Sequence, residues 1–390
     1  IFVTGLVGTG RTTTIKHILE ELDTVKPELS DICYVNNFRD PDSPIALIFK
    51  AGSGREFKRD SEYTISTLRK SVPKIFLSED YKDKRNRIGA DFTSRQKMLI
   101  DEFEKKMVAD GFVMVQLQVA LGVRNELQPL IDGEPVPMER LERLVKEGKF
   151  AADRLEDLGK KYEKLHREMG IVELEVKKLS AKLEQALEKL DHSLIAPLVT
   201  DKIDVLRKKY PDPKIVAYLD SVQEALLSDL DRFREAGPRR GEEEAPPFPV
   251  NLILDNSETK TAPIVIEHSP TYRNLFGATE RVVDRYGYWR TDFTRIRSGS
   301  ILKALGGFLI INALDLLTEP GVWHPLKRTL LSEQLEIGSF DPFYMMAGSG
   351  LKPEPIPIKL KVVLIGERRL YDMMLNYEED FKKIFKIKAE

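Results

Sequence analysis

Over residues 1–93 short apolar runs alternate with amphipathic stretches, the pattern of an α/β domain. IFVTG reads as a strand, residues 11–22 as a helix, and ICYVNNF (32–38) as a second strand. From Ser94 the pattern changes to long, charge-rich helical stretches. It changes back only after EAGPRRGEEEAPPFP (235–249), a Pro, Gly and Glu cluster with the composition of a linker. The α/β pattern then resumes in VNLILD (250–255), APIVIE (262–267), GGFLIINA (306–313) and KVVLIG (361–366). The expected organisation is one α/β domain in two parts, 1–93 and 250–390, interrupted by a helical insertion at 94–236 and a linker at 237–249.

Within the insertion, Leu158, Tyr162, Leu165, Met169, Val172, Val176, Leu179, Leu183, Ala186 and Leu190 recur at spacings of four and three. That is the seam of a coiled coil, sustained over about five heptads, and a helix of this length reaches roughly 50 Å. Pro197 and YPDPK (210–214) are expected to break it. A second apolar series, Ile215, Leu219, Val222, Leu226, Leu230 and Phe233, is expected to pack back along the first and make an antiparallel arm. GFVMVQLQVALGVRNELQPLIDGEPVP alternates β-formers with turn residues and predicts a small sheet at the base of that arm.

Composition narrows the function classes. With 42% hydrophobic and 32% charged residues the chain is globular, and a net charge of -2 gives no electrostatic case for nucleic acid. The single cysteine, Cys33, excludes a disulfide framework and points to a reducing, cytoplasmic compartment. No apolar run approaches the ~18–20 residues that span a bilayer. The five histidines are scattered, without ligand or triad spacing. The chain opens inside a strand, as a piece of a longer protein would.

The candidate chemistry sits in TGLVGTGRTT (4–13). Gly5, Gly10, Arg11 and Thr12 fit G-x-x-x-x-G-[KR]-[ST] between a strand and a helix, the context in which backbone amides and a helix N-terminus cradle phosphates. Arginine replaces the usual lysine, and its planar fork binds anions at a different reach. Hydrolysis also needs carboxylates at the end of a neighbouring strand, one for the magnesium shell and one for the attacking water. Here the run Phe308–Ile311 ends in Asn312 and Ala313. Losing a carboxylate ~4 Å from a cation forfeits about 4 kcal/mol per unit charge at an effective dielectric of about 20. Losing the base costs a further ~10² to 10⁴ in rate. Asp315 starts the next turn and cannot replace either. At the end of KVVLIG the expected polar residue gives way to Glu367, Arg368 and Arg369.

These stretches, in this order, resemble the AAA+ region of Lon-like proteases that carry a coiled-coil insertion. The resemblance rests on GTGRTT, YVNNFRDPDSPIAL, AGSGREFKRD, DGEPVP, LDNSETKTAPIVIEHSPTYRNLFG, TDFTRIRSGSILKALGGFLIINALDLL, WHPLKRTL and KPEPIPIKLKVVLIGERRLYDMML. It implies an α/β P-loop AAA+-like fold with a parallel sheet and a long antiparallel coiled-coil insertion. It also implies a hexameric ring that feeds unfolded or damaged polypeptides to a Ser-Lys serine protease domain following the AAA+ region, in protein quality control. No catalytic residue is named in this chain, since that domain is not in it. Arginine in the P-loop is usual in the family, whereas the acidic residue usual at position 312 and the polar residues expected at Leu302 and Leu305 are not kept.

Two readings of the nucleotide site follow: a degenerate module in which ATP or ADP is at most a bound ligand and ATP hydrolysis is weak or lost, or an ATP-dependent unfoldase in which Arg11 and Thr12 still handle nucleotide. A chromosome-organising coiled-coil ATPase is disfavoured by the lack of an LSGG-type signature. Two aromatic stretches are candidates for contact with polypeptide, YGYWRTDF (286–293) and the group Phe343, Tyr344, Met345 and Met346, where methionines suit adaptable binding.

Overall fold

A computed structural model describes residues 1–5, 11–21, 28–119, 122–230, 248–283, 286–338 and 351–390. By contacts the chain falls into two compact units, Ile1–Ser71 with Leu198–Glu390, and Val72–Pro197.

The first unit is built on a five-stranded parallel sheet. Its strands, in chain order, are β1 (Phe2–Thr4), β8 (Ile264–Glu267), β13 (Phe308–Asn312), β16 (Lys361–Gly366) and β17 (Lys388–Ala389), and their order across the sheet is β17-β1-β16-β13-β8. Their near-continuous apolar sequences suit strands covered on both faces. Phe2, Leu309, Ile311 and Leu364 join the main core, while Ile310, Val363 and Ile365 form a second cluster with Ile15 and Leu19 of α1 (Arg11–Glu21).

β2 (Ser30–Val35), β3 (Ile45–Lys50) and β7 (Asn251–Leu254) do not extend this sheet; they pair antiparallel as a separate sheet in the order β3-β2-β7. Glu354 ties two of its strands down: the carbonyl accepts from the Tyr34 hydroxyl at 2.7 Å and the carboxylate accepts from the Ala46 N–H at 3.0 Å. Asp31 is fully buried and accepts the N–H groups of Gly54 at 2.9 Å and Asn256 at 2.8 Å, which joins β2, the start of α2 (Ser53–Leu77) and the end of β7. A Cβ on Gly54 would stand 2.6 Å from that of Asp31, so the glycine at this position is a packing requirement. The remaining helices of this unit are α6 (Pro213–Ser228), α7 (Tyr272–Phe276), α8 (Ser300–Lys303), α9 (Ala313–Thr318), α10 (Trp323–Ser332), α11 (Arg368–Tyr377) and α12 (Phe381–Ile384). The short strands β14 (Gln334–Leu335) and β15 (Ile356–Pro357) close a small ladder.

The second unit pairs α3 (Glu79–Ala109) with α5 (Ala152–Lys209), a helix of 58 residues whose last turns belong to the first unit. Tyr81 donates to Asp191, Gln96 to Ser180, and Lys106 pairs with Glu168, so numbers rise on one helix as they fall on the other and the helices are antiparallel. Every residue of the seam from Leu158 to Leu190 is half-buried or buried. Pro197 does not break α5. The partner of the seam differs from the expected 215–233. α6 lies against only the last turns of α5, through Arg207 to Asp220 at 2.6 Å and Gln223 to Thr200 at 3.0 Å, and Phe233 is outside the described residues. YPDPK does make the expected break, with Asp212 capping α6 and Pro213 in its first turn. The small sheet, β4 (Phe112–Val119), β5 (Gly122–Ile131) and β6 (Glu134–Pro135), follows α3 and precedes α4 (Met138–Lys146). It is packed with Phe103, Met107 and Leu165, at the end of the helix pair opposite to where the chain enters and leaves, and not at the base.

Candidate functional site

Chain direction picks out one crevice. From β1 the chain crosses to β8 on one side, and from β16 it crosses back to β17 on the other, so connections diverge between β1 and β16. In an open parallel sheet ligands bind at such a switch point, beyond the carboxyl ends of the strands. Thr4 pairs in register with Gly366, and Ile365 with Asn312, so the ends of β1, β16 and β13 share one edge. Gly5 follows β1 and is exposed, Arg11 opens α1, and Thr12 is half-buried in its first turn. Gly10 lies outside the described residues, as do Phe343, Tyr344, Met345 and Met346, the EAGPRRGEEEAPP stretch (235–247) and residues 284 and 285.

At the end of β13 Asn312 serves as an N-cap. Its Oδ1 accepts from the N–H of Leu314 at 2.9 Å and of Asp315 at 3.4 Å, and Asp315 is exposed within the first turn of α9. Ala313 is 1% exposed and packs in the main core; an added Cβ on Gly366 would come within 3.2 Å of its methyl and 2.8 Å of the Phe2 ring. Leu302 and Leu305 are also core residues. At the end of β16, Glu367 precedes α11 and Arg368 pairs with Glu390 at 3.7 Å.

One strand further along the same edge the chemistry changes. Glu267 closes β8, opposite Ile311, and its carboxylate accepts from the Ser300 hydroxyl and from the Ser269 N–H at 2.9 Å. Beside it lies a cavity of about 160 Å³ lined by Arg273, Arg297, Lys303, Ser298 and Asn274 among others. Sequence reasoning passed over this group. The signal that finds Glu267 is the one applied to β13, the first polar residue after an apolar run.

A family model described as LonB-like, AAA domain matches residues 260–390, and one described as Lon-like LonC helical domain matches residues 31–62. The two matches support a Lon-like AAA region in this chain. No curated protein matches it. Among solved structures, a crystal structure of NtrX from Brucella abortus aligns at 16% identity with a TM-score of 0.22; the match covers 33% of this chain and 26% of that one.

The described residues of this Lon-like region hold no cluster of metal-ligating side chains and no helix long and apolar enough to cross a membrane. Cys33 is no nucleophile: burial, followed by the nearby Asp31, pushes its thiol far above the ordinary range.

Proposed function

We propose that this chain is the substrate-handling and gating module of a Lon-like serine protease, acting on unfolded or damaged polypeptides, in which the P-loop fold is kept for assembly and nucleotide hydrolysis is weak or lost. The observation that carries the reading is the end of β13. Asn312 spends its side-chain oxygen on the first turn of α9, and Ala313 faces the core, so neither supplies a carboxylate to the crevice. Gly5, Gly10, Arg11 and Thr12 are the groups proposed to hold ATP or ADP as an assembly ligand. A hexameric, cytoplasmic protease with the Ser-Lys centre on another domain belongs to the same proposal.

Contact with polypeptide is assigned to the hairpin of β10 (Val282–Val283) and β11 (Trp289–Arg290), where Val283 is 52% and Trp289 69% exposed. The α3/α5 pair is proposed to guard or recognise substrate.

The deciding experiment measures steady-state ATP hydrolysis by the intact protease, and its degradation of an unfolded polypeptide with and without ATP. Degradation that proceeds without ATP, alongside negligible turnover, is expected. Appreciable turnover on which degradation depends would establish the active unfoldase instead.

A further inference from the structure

The cavity beside Glu267 is rigidly framed. Two backbone segments cross at its wall so closely that a Cβ on Gly299 would stand 2.2 Å from the Leu275 carbonyl oxygen, and one on Gly277 2.3 Å from that of Arg297. The segments are also laddered, Ala278 with Arg297 and Thr279 with Ile296, in the pair formed by β9 (Ala278–Thr279) and β12 (Ile296–Arg297). This fixes the backbone from which Arg297 projects. Glu280 then bridges the two arginines, 3.1 Å from Arg273 Nη2 and 3.0 Å from Arg297 Nε, and holds their guanidinium groups together.

The charges do not balance. Arg273, Arg297 and Lys303 stand against Glu267 and Glu280, and Lys303 has no ion-pair partner among the described residues. One positive charge is left over. A carboxylate carries one negative charge and two coplanar oxygens, which suits paired guanidinium forks. A phosphate brings about -1.5 to -2 and exceeds the surplus.

The same two stretches of chain go on to pair again in the aromatic hairpin. Between the β9–β12 pair and the β10–β11 pair the two strands are joined by Thr291, whose hydroxyl donates to the Glu280 carbonyl at 2.7 Å. The cationic cavity and the exposed Val283 and Trp289 therefore draw on the same two stretches of chain, 278–283 and 289–297.

We propose that this cavity receives a carboxylate of a bound polypeptide while the hairpin holds apolar residues next to it; the inference rests on the polypeptide-handling reading given above. It makes the module selective for a chemical feature of its client, a terminal or side-chain carboxylate beside apolar residues. Arg273 and Arg297 supply the forks, and Lys303 the unpaired charge.

The test uses the full chain and two fluorescent, unfolded, apolar-rich peptides of one sequence, the first with a free C-terminal carboxylate and the second amidated. A third, amidated peptide carries an aspartate at its penultimate position, and separates a terminal from a side-chain source. Binding is followed by anisotropy. At least one carboxylate peptide is expected to bind about 10-fold more tightly than the plain amide. Lys303→Glu and Arg297→Gln each abolish that preference, whereas Trp289→Ala weakens all three peptides equally. Equal affinity of all three for the unaltered chain overturns the cavity proposal and leaves the polypeptide reading standing. No binding of any of them overturns both. Inorganic phosphate binding to the cavity more tightly than either carboxylate peptide also overturns the proposal, as does a preference that survives Lys303→Glu.

Discussion

Two neighbouring strands of the same sheet end on the same edge and have been put to opposite uses. β13 ends in a neutral amide that caps a helix and a methyl that fills the core. β8 ends in a carboxylate held by two donors beside three cations. The Asn312 Oδ1 and the Glu267 carboxylate both have partners within the fold, but beside Glu267 stands a cation, Lys303, with no ion pair among the described residues. A site's location at a strand's carboxyl end does not tell whether the end is chemical or structural. The partners of its polar atoms do.

The largest effect is expected from disturbing the frame of the β8 cavity. Gly299→Ala places a methyl against two backbone atoms, Leu275 O at 2.2 Å and Gly277 N at 2.4 Å, neither of which can swing aside. A loss of more than about 3 kcal/mol in chemical denaturation is expected. Ala313→Glu, which attempts to return a carboxylate to the end of β13, has to bury it among Phe2, Leu316 and Gly366. It is expected to cost about 2–3 kcal/mol and to produce no ATP turnover in a phosphate-release assay. At Asn312 the structural role gives smaller effects: Asn312→Ala loses about 1 kcal/mol with its cap. Asn312→Asp keeps the cap, holds stability within about 0.5 kcal/mol, and on the degenerate reading still hydrolyses no ATP. Smallest in stability is Lys303→Glu at an exposed position, which leaves the melting temperature unchanged while removing the carboxylate preference.

Much of the sheet is legible in the sequence because its strands are short, continuous apolar runs bounded by turns: IFVTG, APIVIE, GGFLIINA and KVVLIG all take their places in it. ICYVNNF and VNLILD carry the same signal and go elsewhere, since a run of apolar residues does not say which strand it will pair with. In the insertion, the seam of α5 shows its period plainly. Its true partner hides that period. Tyr81, Ile88, Phe92, Leu99, Phe103 and Met107 follow the three-four spacing, but Arg85 and Gln96 occupy two seam positions. Those polar side chains are not errors of packing, for Gln96 bonds across to Ser180 and Arg85 to the Tyr81 hydroxyl. α6 was the more regular sequence and the wrong partner. Of the candidate site, the glycine loop and the loss of acid at Asn312 are visible in the sequence, whereas the cavity is assembled from residues 267 to 303 by a backbone crossing that no local pattern encodes.

The position of β1 has a consequence for how the chain is made. An interior strand of the sheet, it leaves the ribosome ahead of both neighbours, and Thr4 meets its partner Ala389 across a sequence separation of 385 residues. At about 5–20 residues per second that is a wait of roughly 20–80 s. The helix pair has no such delay. β4 and β5 pair through Val119 and Gly122, and the contacts of α3 with α5 reach Tyr81 and Asp191, so every residue of the pair has been made once residue 191 is out. The arm is thus complete while the domain that interrupts itself to carry it still lacks four of its five parallel strands.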